Sequence, residues 1–562
     1  MNAQSPHPSV HDPAPPSQRM PGRTELGWLQ SLLANPNAIW IREVRQAARL
    51  DRTPWLLFGI TLLLSLLVAS IGGTASSSNI SPAKVGMAVS QVFFSLAYGV
   101  VTLVGPAVAA NTIAAEREGR TWEALVLTGM TPAQIARGKF LSSFTTLSLY
   151  IAAIAPIGAL SFAFGGTTAT ETIVGFILLF MLAALWVAFG LAMSAAMNSL
   201  RGALVLTLIL AIVIGPILYM IFGPAMSSLA HEHWSQLPAG LPIWLPVAYT
   251  RANFGIDYLI LLVALPFVVL SLPAWFLYEA TVANLSSVTD DRSSGLKRWF
   301  IVSTCAGGGL ATAIPIAVGG GRAPPSDPAS LAAHTGLWCL SFFFGFCALL
   351  FVGEPSGPSR RLTTQWAKTN TSALTRALGP GLARTFTLVM LLETGAFGAA
   401  IFGGVAAMTA FHKGDGVLPI VLSGATLWAH IIFFTGLCAW LRARSDSPMG
   451  ARVIALAIML ALVVVPWSFA AVGGIATKQD EWLALGATNP FYVVVILGQL
   501  AATSPNYFLL TAGYISILVF GALGLVFFAL AQRKAHSINV AAELHYAQLD
   551  AALAQEESAT TP

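Results

Sequence analysis

Twelve apolar stretches divide this chain, and each is about 20 residues long, which is enough to cross a bilayer as a helix. A helix bonds its own backbone N–H and C=O groups, so it is a form in which such stretches can enter hydrocarbon. Composition agrees, since 56% of the 562 residues are hydrophobic and 9% are charged, whereas soluble domains are about 25% charged. The predicted fold class is therefore all-α, a polytopic membrane helix bundle of about 12 transmembrane helices, at 54–72, 88–110, 140–163, 173–196, 203–223, 256–279, 299–319, 333–352, 386–408, 417–438, 453–474 and 508–531.

Positive charge is distributed unevenly between the two sides of these spans. With the N-terminus in the cytoplasm, the outer segments hold only five of the 29 Lys and Arg residues, and the other 24 fall inside. Cytoplasmic loops carry such an excess of positive charge. The sequence thus predicts a multi-pass protein with both termini cytoplasmic. The five outer residues are Lys84, Arg251, Arg322, Lys413 and Lys478.

The spans form two halves with the same order of connections. Each half has two spans, a long charged cytoplasmic connection, two spans, a short basic turn, a span, a long Pro-bearing outer segment and a last span. This layout predicts six-span domains at 35–298 and 299–534, the second divergent, related by an axis along the membrane normal. Residues 1–34 are predicted to be a disordered cytoplasmic tail without a cleavable signal peptide, because they begin with a Pro- and Ser-rich stretch that lacks an apolar run. Residues 535–562 are a cytoplasmic tail, for which a short helix and a frayed end are both open.

The connection Asn111–Lys139 concentrates charge in a chain that has little of it. Its charged cluster consists of Glu116, Arg117, Glu118, Arg120 and Glu123. The second span is predicted to continue as helix to Glu118 and to stop with Gly119 at the C′ position. The corresponding connection of the second half, Gly353–Arg384, is basic and Pro-rich and lacks the acidic cluster.

Two further helical pieces are predicted within Asn111–Lys139. Thr121–Thr128 reads as a short amphipathic helix with Trp122, Leu125 and Val126 as its apolar residues. Thr131 then has the properties of an N-cap, with Pro132 at the first helical position and Gln134 completing a capping box. A short helix that lies across the ends of two spans would move both spans when a partner displaces it.

Ahead of the first span, Asn35–Arg52 is a basic amphipathic helix. Trp40 and other apolar residues lie on one side, and Arg42, Arg45, Arg49 and Arg52 lie on the other. This pattern is typical of a helix in the plane of the lipid headgroups.

Two patterns resemble the permease (transmembrane) subunits of ABC-2 type ABC transporters. N-P-x-x-x-W-x-R-E-x-R at Asn35–Arg45 is similar to their interfacial elbow, and A-x-E-R-E-x-x-T-W-E-x-L-x-x-T-x-x-x-x-x-x-I-x-x-G-K at Ala114–Lys139 is similar to their signature after the second span. The resemblance covers about 1–280, and the second half matches only in layout. It implies an elbow containing Asn35, Pro36, Trp40, Arg42, Glu43 and Arg45, and a site of coupling to an ATPase containing Glu116, Arg117, Glu118, Thr121, Trp122, Glu123, Leu125, Thr128, Gly138 and Lys139.

The same resemblance implies the partners and the location. A separate ATP-binding subunit would carry ATP and Mg, and this chain would bind no cofactor itself. Two six-span domains make the exporter, either as an internal pseudo-dimer or as a homodimer of the chain, in the bacterial plasma (inner) membrane. Whether the second connection docks an ATPase stays open, because it lacks the motif.

Motifs of catalytic chemistry are absent from the sequence. It has no G-x-x-x-x-G-K-[ST] phosphate loop, no H-E-x-x-H and no G-x-S-x-G. The cysteines Cys305, Cys339, Cys347 and Cys438 lie in apolar runs without disulfide or metal spacing. The trio at 231–233, His-Glu-His, is read as a solvated loop in preference to a metal site. The chain is therefore expected not to be an enzyme, and to have the lipid bilayer and no nucleic acid as a partner.

Two ionisable residues, Glu393 and His430, fall within spans at similar predicted depth. Such residues are costly in a membrane and point to function by default. A structural pair that holds two helices together is favoured, and the alternative is a secondary transporter or channel that uses the two as a proton relay. Nearby, Gly395, Ala399 and Gly403 form a small-residue stripe that would let helices approach closely. The substrate cannot be read from the sequence.

Overall fold

A computed structural model describes residues 37–49, 52–77, 81–237, 245–319, 328–369, 371–412, 414 and 416–560. The structure is 87% helical, and no β-strand occurs in those residues. In chain order the helices are α1 (Ala38–Ala48), α2 (Arg52–Ser77), α3 (Pro82–Glu118), α4 (Trp122–Leu127), α5 (Pro132–Ala163), α6 (Ala169–Ala196), α7 (Leu200–Met220), α8 (Met226–His233), α9 (Leu245–Arg251), α10 (Ile256–Leu285), α11 (Ser294–Val318), α12 (Pro328–Phe351), α13 (Arg360–Lys368), α14 (Ala373–Leu378), α15 (Leu382–His412), α16 (Val417–Arg444), α17 (Pro448–Thr477), α18 (Val493–Ala501) and α19 (Tyr507–Thr560). Short π-helical segments occur at Ile221–Ala225, between α7 and α8, and at Leu259–Ala264, within α10. Short 3₁₀-helices at Asp480–Thr488 and Pro490–Tyr492 lie between α17 and α18.

The predicted spans coincide with helices of this series. In the described part of the chain, 11 helices are long and apolar enough to cross a membrane. Each of them coincides with one predicted span, although the predictions 203–223, 299–319 and 333–352 run one to three residues past the ends of α7, α11 and α12. The remaining prediction, 54–72, falls in the 26-residue helix α2. Within α2, Leu57–Ser70 qualifies as a shorter apolar stretch. The all-α, polytopic fold class is therefore confirmed.

Many helices that correspond between the two halves pack in corresponding pairs, but α7 also packs on α3, whereas α17 makes no comparable contact with α12 in the described residues. In the first half α3 packs on α5 and α6, and α6 packs on α7 and α10. In the second half α12 packs on α15 and α16, and α16 packs on α17 and α19. Extensive contact between the halves occurs where α11 lies along α10. Each half thus has its own core, and the two cores lie side by side.

The last helix is much longer than its predicted span. α19 continues without a break from the membrane segment to Thr560, 54 residues in all. At about 1.5 Å per residue, the part beyond residue 531 extends for about 43 Å. The prediction left a short helix and a frayed end open for this tail, and the structure has a continuous helix instead. An ion pair between Arg360 of α13 and Asp550 joins it to the connection Gly353–Arg384.

Of the two glycines in the small-residue stripe on α15, only Gly403 makes a close contact with another helix. A Cβ on Gly403 would come within 2.6 Å of the Thr312 Cα atom on α11, so α11 and α15 touch there backbone to backbone. A Cβ on Gly395, two turns earlier, would meet no atom within 4 Å. Close approach of the two helices therefore depends on Gly403.

These two glycines give a matched pair of substitutions. Gly403→Ala is expected to destabilise the protein by about 1–3 kcal/mol, because the methyl group must push α11 away. Gly395→Ala is expected to be neutral or stabilising, because alanine is favoured over glycine in a helix by about 1 kcal/mol. Thermal unfolding of the purified variants in detergent measures both, and equal effects would contradict the assignment of the contact to Gly403.

Candidate coupling and docking site

A buried ammonium group lies in the first half, where the elbow helix α1 meets the end of α3 and the start of α5. The Lys139 side chain is 1% exposed. Its Nζ donates to the Glu43 carboxylate, to Glu116 Oε1 at 2.8 Å and to the Thr112 carbonyl at 3.0 Å. A lysine ammonium has three donors, and here each has an acceptor. Lys139 thereby joins three helices: α1 through Glu43, α3 through Glu116 and Thr112, and its own helix α5.

The two carboxylates have further partners that complete the charge balance. Arg42 Nη2 lies 2.7 Å from Glu116 Oε1 and 3.5 Å from Glu43 Oε1. The Ser142 hydroxyl donates to Glu43 Oε2 at 2.6 Å. Two positive and two negative side chains therefore meet at one point, which limits the cost of burying the Lys139 charge.

Local sequence brings the elbow helix α1 against α5 at this point. Asn37 caps α1 by accepting from the backbone N–H of Ile39 at 3.0 Å, and it donates to the Gln134 carbonyl at 2.8 Å. Gly138 is required because a Cβ there would lie 2.9 Å from the Ile39 Cβ. The Gly-Lys pair at the end of the sequence motif thus has two linked roles, since Gly138 admits the elbow and Lys139 bonds to it.

Arg117 and Glu118, the two residues that follow Glu116 in the motif, bond to two other spans. Arg117 Nη1 donates to the Ala195 carbonyl at 2.8 Å and to the Met197 carbonyl at 3.3 Å, so it caps the C-terminal end of α6. Glu118 Oε2 accepts from the Leu200 backbone N–H at 2.7 Å, at the N-terminus of α7. A cation at a helix C-terminus and an anion at an N-terminus both match the helix dipole. Three consecutive residues at the end of α3 therefore hold four other helices. Glu116 bonds to α5 and α1, Arg117 bonds to α6, and Glu118 bonds to α7.

The predicted division of Asn111–Lys139 into three helical pieces is confirmed. α3 ends at Glu118, α4 spans Trp122–Leu127, and α5 begins with a capping box between Thr131 and Gln134. One detail was wrong. Gly119 is the C-cap with φ −77°, and it is Arg120 that adopts the left-handed conformation, with φ 55°.

Helix α4 is seated by one face and exposed on the other. Leu125 is buried against Ile39 and Ile135, and the Trp122 ring packs beside them with the Arg117 guanidinium 5.5 Å from its centre. On the opposite face Val126 is 48% exposed and Leu127 is 85% exposed. Glu123, Thr121 and Thr128 are also exposed. The site thus consists of a fixed support and a free apolar edge with acidic and hydroxyl groups around it.

The structure divides the predicted site residues into two groups. Gly138 and Lys139 are buried, and Glu116, Arg117, Trp122 and Leu125 are at least partly buried, so these residues position the helix. Glu118, Thr121, Glu123 and Thr128 lie at the surface. In the elbow, Trp40 donates to the Thr145 hydroxyl at 3.1 Å, Arg42 and Glu43 belong to the charge cluster, and Arg45 is exposed. Asn35 and Pro36 lie outside the described residues.

Several contributing residues were not predicted from sequence. Asn37, Thr112, Ser142 and Leu127 belong to the support or to its free edge. Asn37 precedes a helix and has the composition of an N-cap, so that signal was present in the sequence. The partners of Thr112 and Ser142 depend on the packing of α3, α5 and α1, which no local pattern specifies.

The second half has its own buried ion pair beside the corresponding connection, built from different positions. Lys297 Nζ lies 2.9 Å from Glu354 Oε1 and donates to the Gly379 carbonyl at 2.7 Å. Glu354 Oε1 also accepts from the Gly381 N–H at 3.0 Å and from the Thr385 hydroxyl at 3.1 Å. This pair holds the connection against the start of α15. The helices that follow Glu354, α13 and α14, carry basic residues and no acidic ones.

The structure does not bring Glu393 and His430 together. Glu393 Oε2 accepts from the Thr435 hydroxyl at 2.9 Å, whereas His430 Nδ1 bonds to the Thr426 carbonyl at 2.8 Å and its ring stacks on Phe520. Both residues are in the described part of the chain, and no hydrogen bond or ion pair joins them there. The expected pair is therefore wrong, because the α16 side chain that donates to Glu393 is Thr435, which lies more than one turn further along the helix than His430.

The remaining candidates form no metal centre in the described residues. No group of three or more His, Cys, Asp or Glu side chains converges there. His233 Nε2 lies 2.9 Å from Asp257 Oδ2, and His231 Nδ1 meets the Leu237 carbonyl at the end of the same turn. All four cysteines are free, two of them buried.

No model of a known protein family matches this chain, and no curated protein sequence does either. The ABC-2 resemblance therefore depends on the two sequence patterns, now accompanied by the geometry around Lys139.

Lys139 offers a test of this geometry. Lys139→Met is expected to cost about 3–5 kcal/mol, because it leaves two carboxylates together without their buried cation. Adding Glu43→Gln and Glu116→Gln should recover part of that loss, since the repulsion is then removed. Thermal unfolding of the purified chain is the measurement.

Arg137→Met is the matched control for that series. Arg137 is exposed on the same turn of α5, so its replacement should change stability by no more than about 0.5 kcal/mol. Equal destabilisation by Lys139→Met and Arg137→Met would contradict a central role for the buried ammonium.

Proposed function

We propose that this chain is the membrane permease of an ATP-driven exporter of the ABC-2 type, and that α4 is the helix on which a separate ATP-binding subunit docks. The observation that carries the proposal is the combination found in α4. Its inner face is fixed by Trp122 and Leu125, and its outer face presents Val126 and Leu127 beside Glu123. Adjacent exposed apolar side chains with a polar rim are typical of a surface that binds another protein.

The connections of α4 support transmission of movement to the membrane. Glu116, Arg117 and Glu118 precede α4 by only a few residues and bond to α5, to α6 and to the start of α7. Charge-assisted hydrogen bonds are among the stronger polar contacts in a protein. A partner that displaces α4 would therefore move several spans together and not one alone.

The two halves differ in ways that favour docking at the first. The connection Asn111–Lys139, which contains α4, has three acidic and four basic residues. By contrast, α13 has no acidic residue and contains Arg360, Arg361 and Lys368. We therefore propose an asymmetric chain in which α4 is the dominant docking site. The proposed setting is a bacterial inner membrane with both termini in the cytoplasm, which the distribution of Lys and Arg supports.

The arrangement of the halves favours a homodimer over an internal pseudo-dimer. In the described residues, extensive contact between the halves is confined to α10 and α11. Two copies of the chain with their first halves at the centre would enclose a path between them. The mass of the purified chain in lipid nanodiscs tests this point.

Docking is tested by Leu127→Asp. A charge at the most exposed apolar position should lower recovery of an ATP-binding protein with the tagged full-length chain from native membranes by about tenfold or more, as at interface hot spots. Mass spectrometry of the eluate and its ATP hydrolysis rate are the readouts. The stability of the chain itself should not change, because Leu127 makes no buried contact.

The control for this variant is Ala367→Asp on α13. Ala367 is likewise exposed, on the second connection, and its replacement should leave recovery unchanged. Recovery of no ATP-binding protein with the unaltered chain would refute the proposed function, and equal losses in the two variants would refute the asymmetry.

The alternative, a proton-driven transporter or channel, makes a different prediction at Glu393. Its Oε1 atom is buried without a partner, which is the observation that keeps this alternative under test. In the proposed exporter, Glu393→Gln should leave transport unchanged, because an amide oxygen still accepts from Thr435. Loss of transport in Glu393→Gln, with normal ATP hydrolysis and stability, would favour the alternative.

A further inference from the structure

The first half contains an elongated apolar cavity of about 480 Å³. Its floor is α6, from Gly175 to Phe189, a distance of about 21 Å at 1.5 Å per residue. Its walls are α7 on one side and α10 on the other, with α3 behind. All of the floor lies within the predicted span 173–196, so the cavity is at the depth of the hydrocarbon.

The cavity is reached from between α7 and α10. Both helices pack on α6, but they make no extensive contact with each other. On α7, Ile214 and Leu218 line the cavity, while their neighbours Val213 and Ile217 are exposed on the outer surface of the helix. Towards the outside of the membrane, a separate apolar cluster around Trp234 and Val247 lies above it.

The second half closes the corresponding space. There α16 and α19 replace α6 and α10, and a Cβ on Gly524 would come within 2.6 Å of the Ile432 backbone. His430 and Phe520 stack between the same two helices, with ring centres 4.5 Å apart. In the first half α10 instead presents leucines and the ring-bearing Pro266 and Pro273 towards α6. The opening is therefore a specific feature of the first half and does not follow from the helix arrangement alone.

The lining chemistry suits hydrocarbon. Tyr98 and Tyr219 are its hydroxyl-bearing side chains, and both hydroxyls bond to protein: Tyr98 to the Gly215 carbonyl at 2.9 Å and Tyr219 to Ser95 at 2.7 Å. The indole N–H of Trp186 is buried without an acceptor in the described chain. Among the described residues, no charged side chain lines the cavity.

We propose that this cavity is a binding site for one acyl chain of a membrane phospholipid, which enters between α7 and α10. Protein interiors contain few voids larger than a water molecule, and an apolar cavity stays dry and takes up apolar molecules. At this depth the surrounding solvent is lipid hydrocarbon, and the cavity is long, narrow and open on its lipid-facing side. The inference does not depend on ATP-driven export, because it concerns the chain alone.

Photo-crosslinking tests the site. The full-length chain is reconstituted, without any partner, in phosphatidylethanolamine and phosphatidylglycerol vesicles that contain a phosphatidylcholine with a diazirine on one acyl chain. After illumination, labelled peptides are mapped by mass spectrometry. Leu182 and Trp186 on the floor are 8% and 2% exposed, so label on them requires a chain inside the cavity.

Two substitutions on different helices fill the cavity, and each has a neighbour as its control. Ile214→Trp on α7 and Val269→Trp on α10 should lower labelling of the α6 floor several-fold. Val213→Trp and Phe267→Trp place the same side chain on the outer surface and should leave floor labelling unchanged. Gel filtration and thermal unfolding identify any variant that fails to fold.

The outcomes separate the possible occupants. Floor labelling in the unaltered chain that falls in both filled variants supports the site. Absence of floor labelling in the unaltered chain overturns it, whatever the variants do. Cross-links from the α6 floor to a second copy of the chain would assign the cavity to a dimer contact and would also overturn it. A free fatty acid that carries the same diazirine should label the floor less than the phospholipid, and stronger labelling by the fatty acid would overturn the assignment to phospholipid.

Discussion

The organisation of the first half depends on one buried charge. The Lys139 ammonium has two carboxylates and a backbone carbonyl as its acceptors, on two helices other than its own. Such a group is tolerated in a buried place only when every donor is paired, so the elbow and the end of α3 must both be in position for α5 to begin where it does. The position of α4 follows, because α4 lies between the ends of α3 and α5.

The sequence allowed the local elements to be predicted, and it did not reveal their contacts. Span lengths, the Thr131 capping box and the end of α3 at Glu118 follow from apolar runs and short-range signals. The bond from Leu200 to Glu118 joins residues 82 apart, and nothing in either segment specifies it. The Glu393–His430 expectation was wrong for the same reason, because equal depth on neighbouring helices does not fix which side chains face each other. The charged stretch Asn111–Lys139 could be recognised as unusual, but which of its residues are buried could not be inferred from their type.

The two halves share several helix pairings but differ in the chemistry at the ends of their second spans. Both end their second span beside a carboxylate that accepts from a buried lysine, Glu116 in the first half and Glu354 in the second. In the first half this pair recruits the elbow and leaves α4 exposed. In the second half Glu354 bonds to Thr385 and to the backbone at Gly381, so it closes the connection onto its own next span. The two connections therefore differ in what they leave exposed. The first leaves α4 at the surface, and the second is bonded to the start of its own next span.

Helix α6 links the proposed docking site to the proposed lipid site. Its C-terminal end is held by Arg117, whose guanidinium also lies over the Trp122 ring of α4. Its middle, around Leu182 and Trp186, is the floor of the apolar cavity. A displacement of α4 would act on Arg117 first, then on the end of α6, and so on the width of the opening between α7 and α10. Because α16 is packed tightly against α19 in the second half, the same displacement there would meet a closed pair of helices. Both at the apolar cavity and at the connection after the second span, the first half is therefore the open one and the second half the closed one.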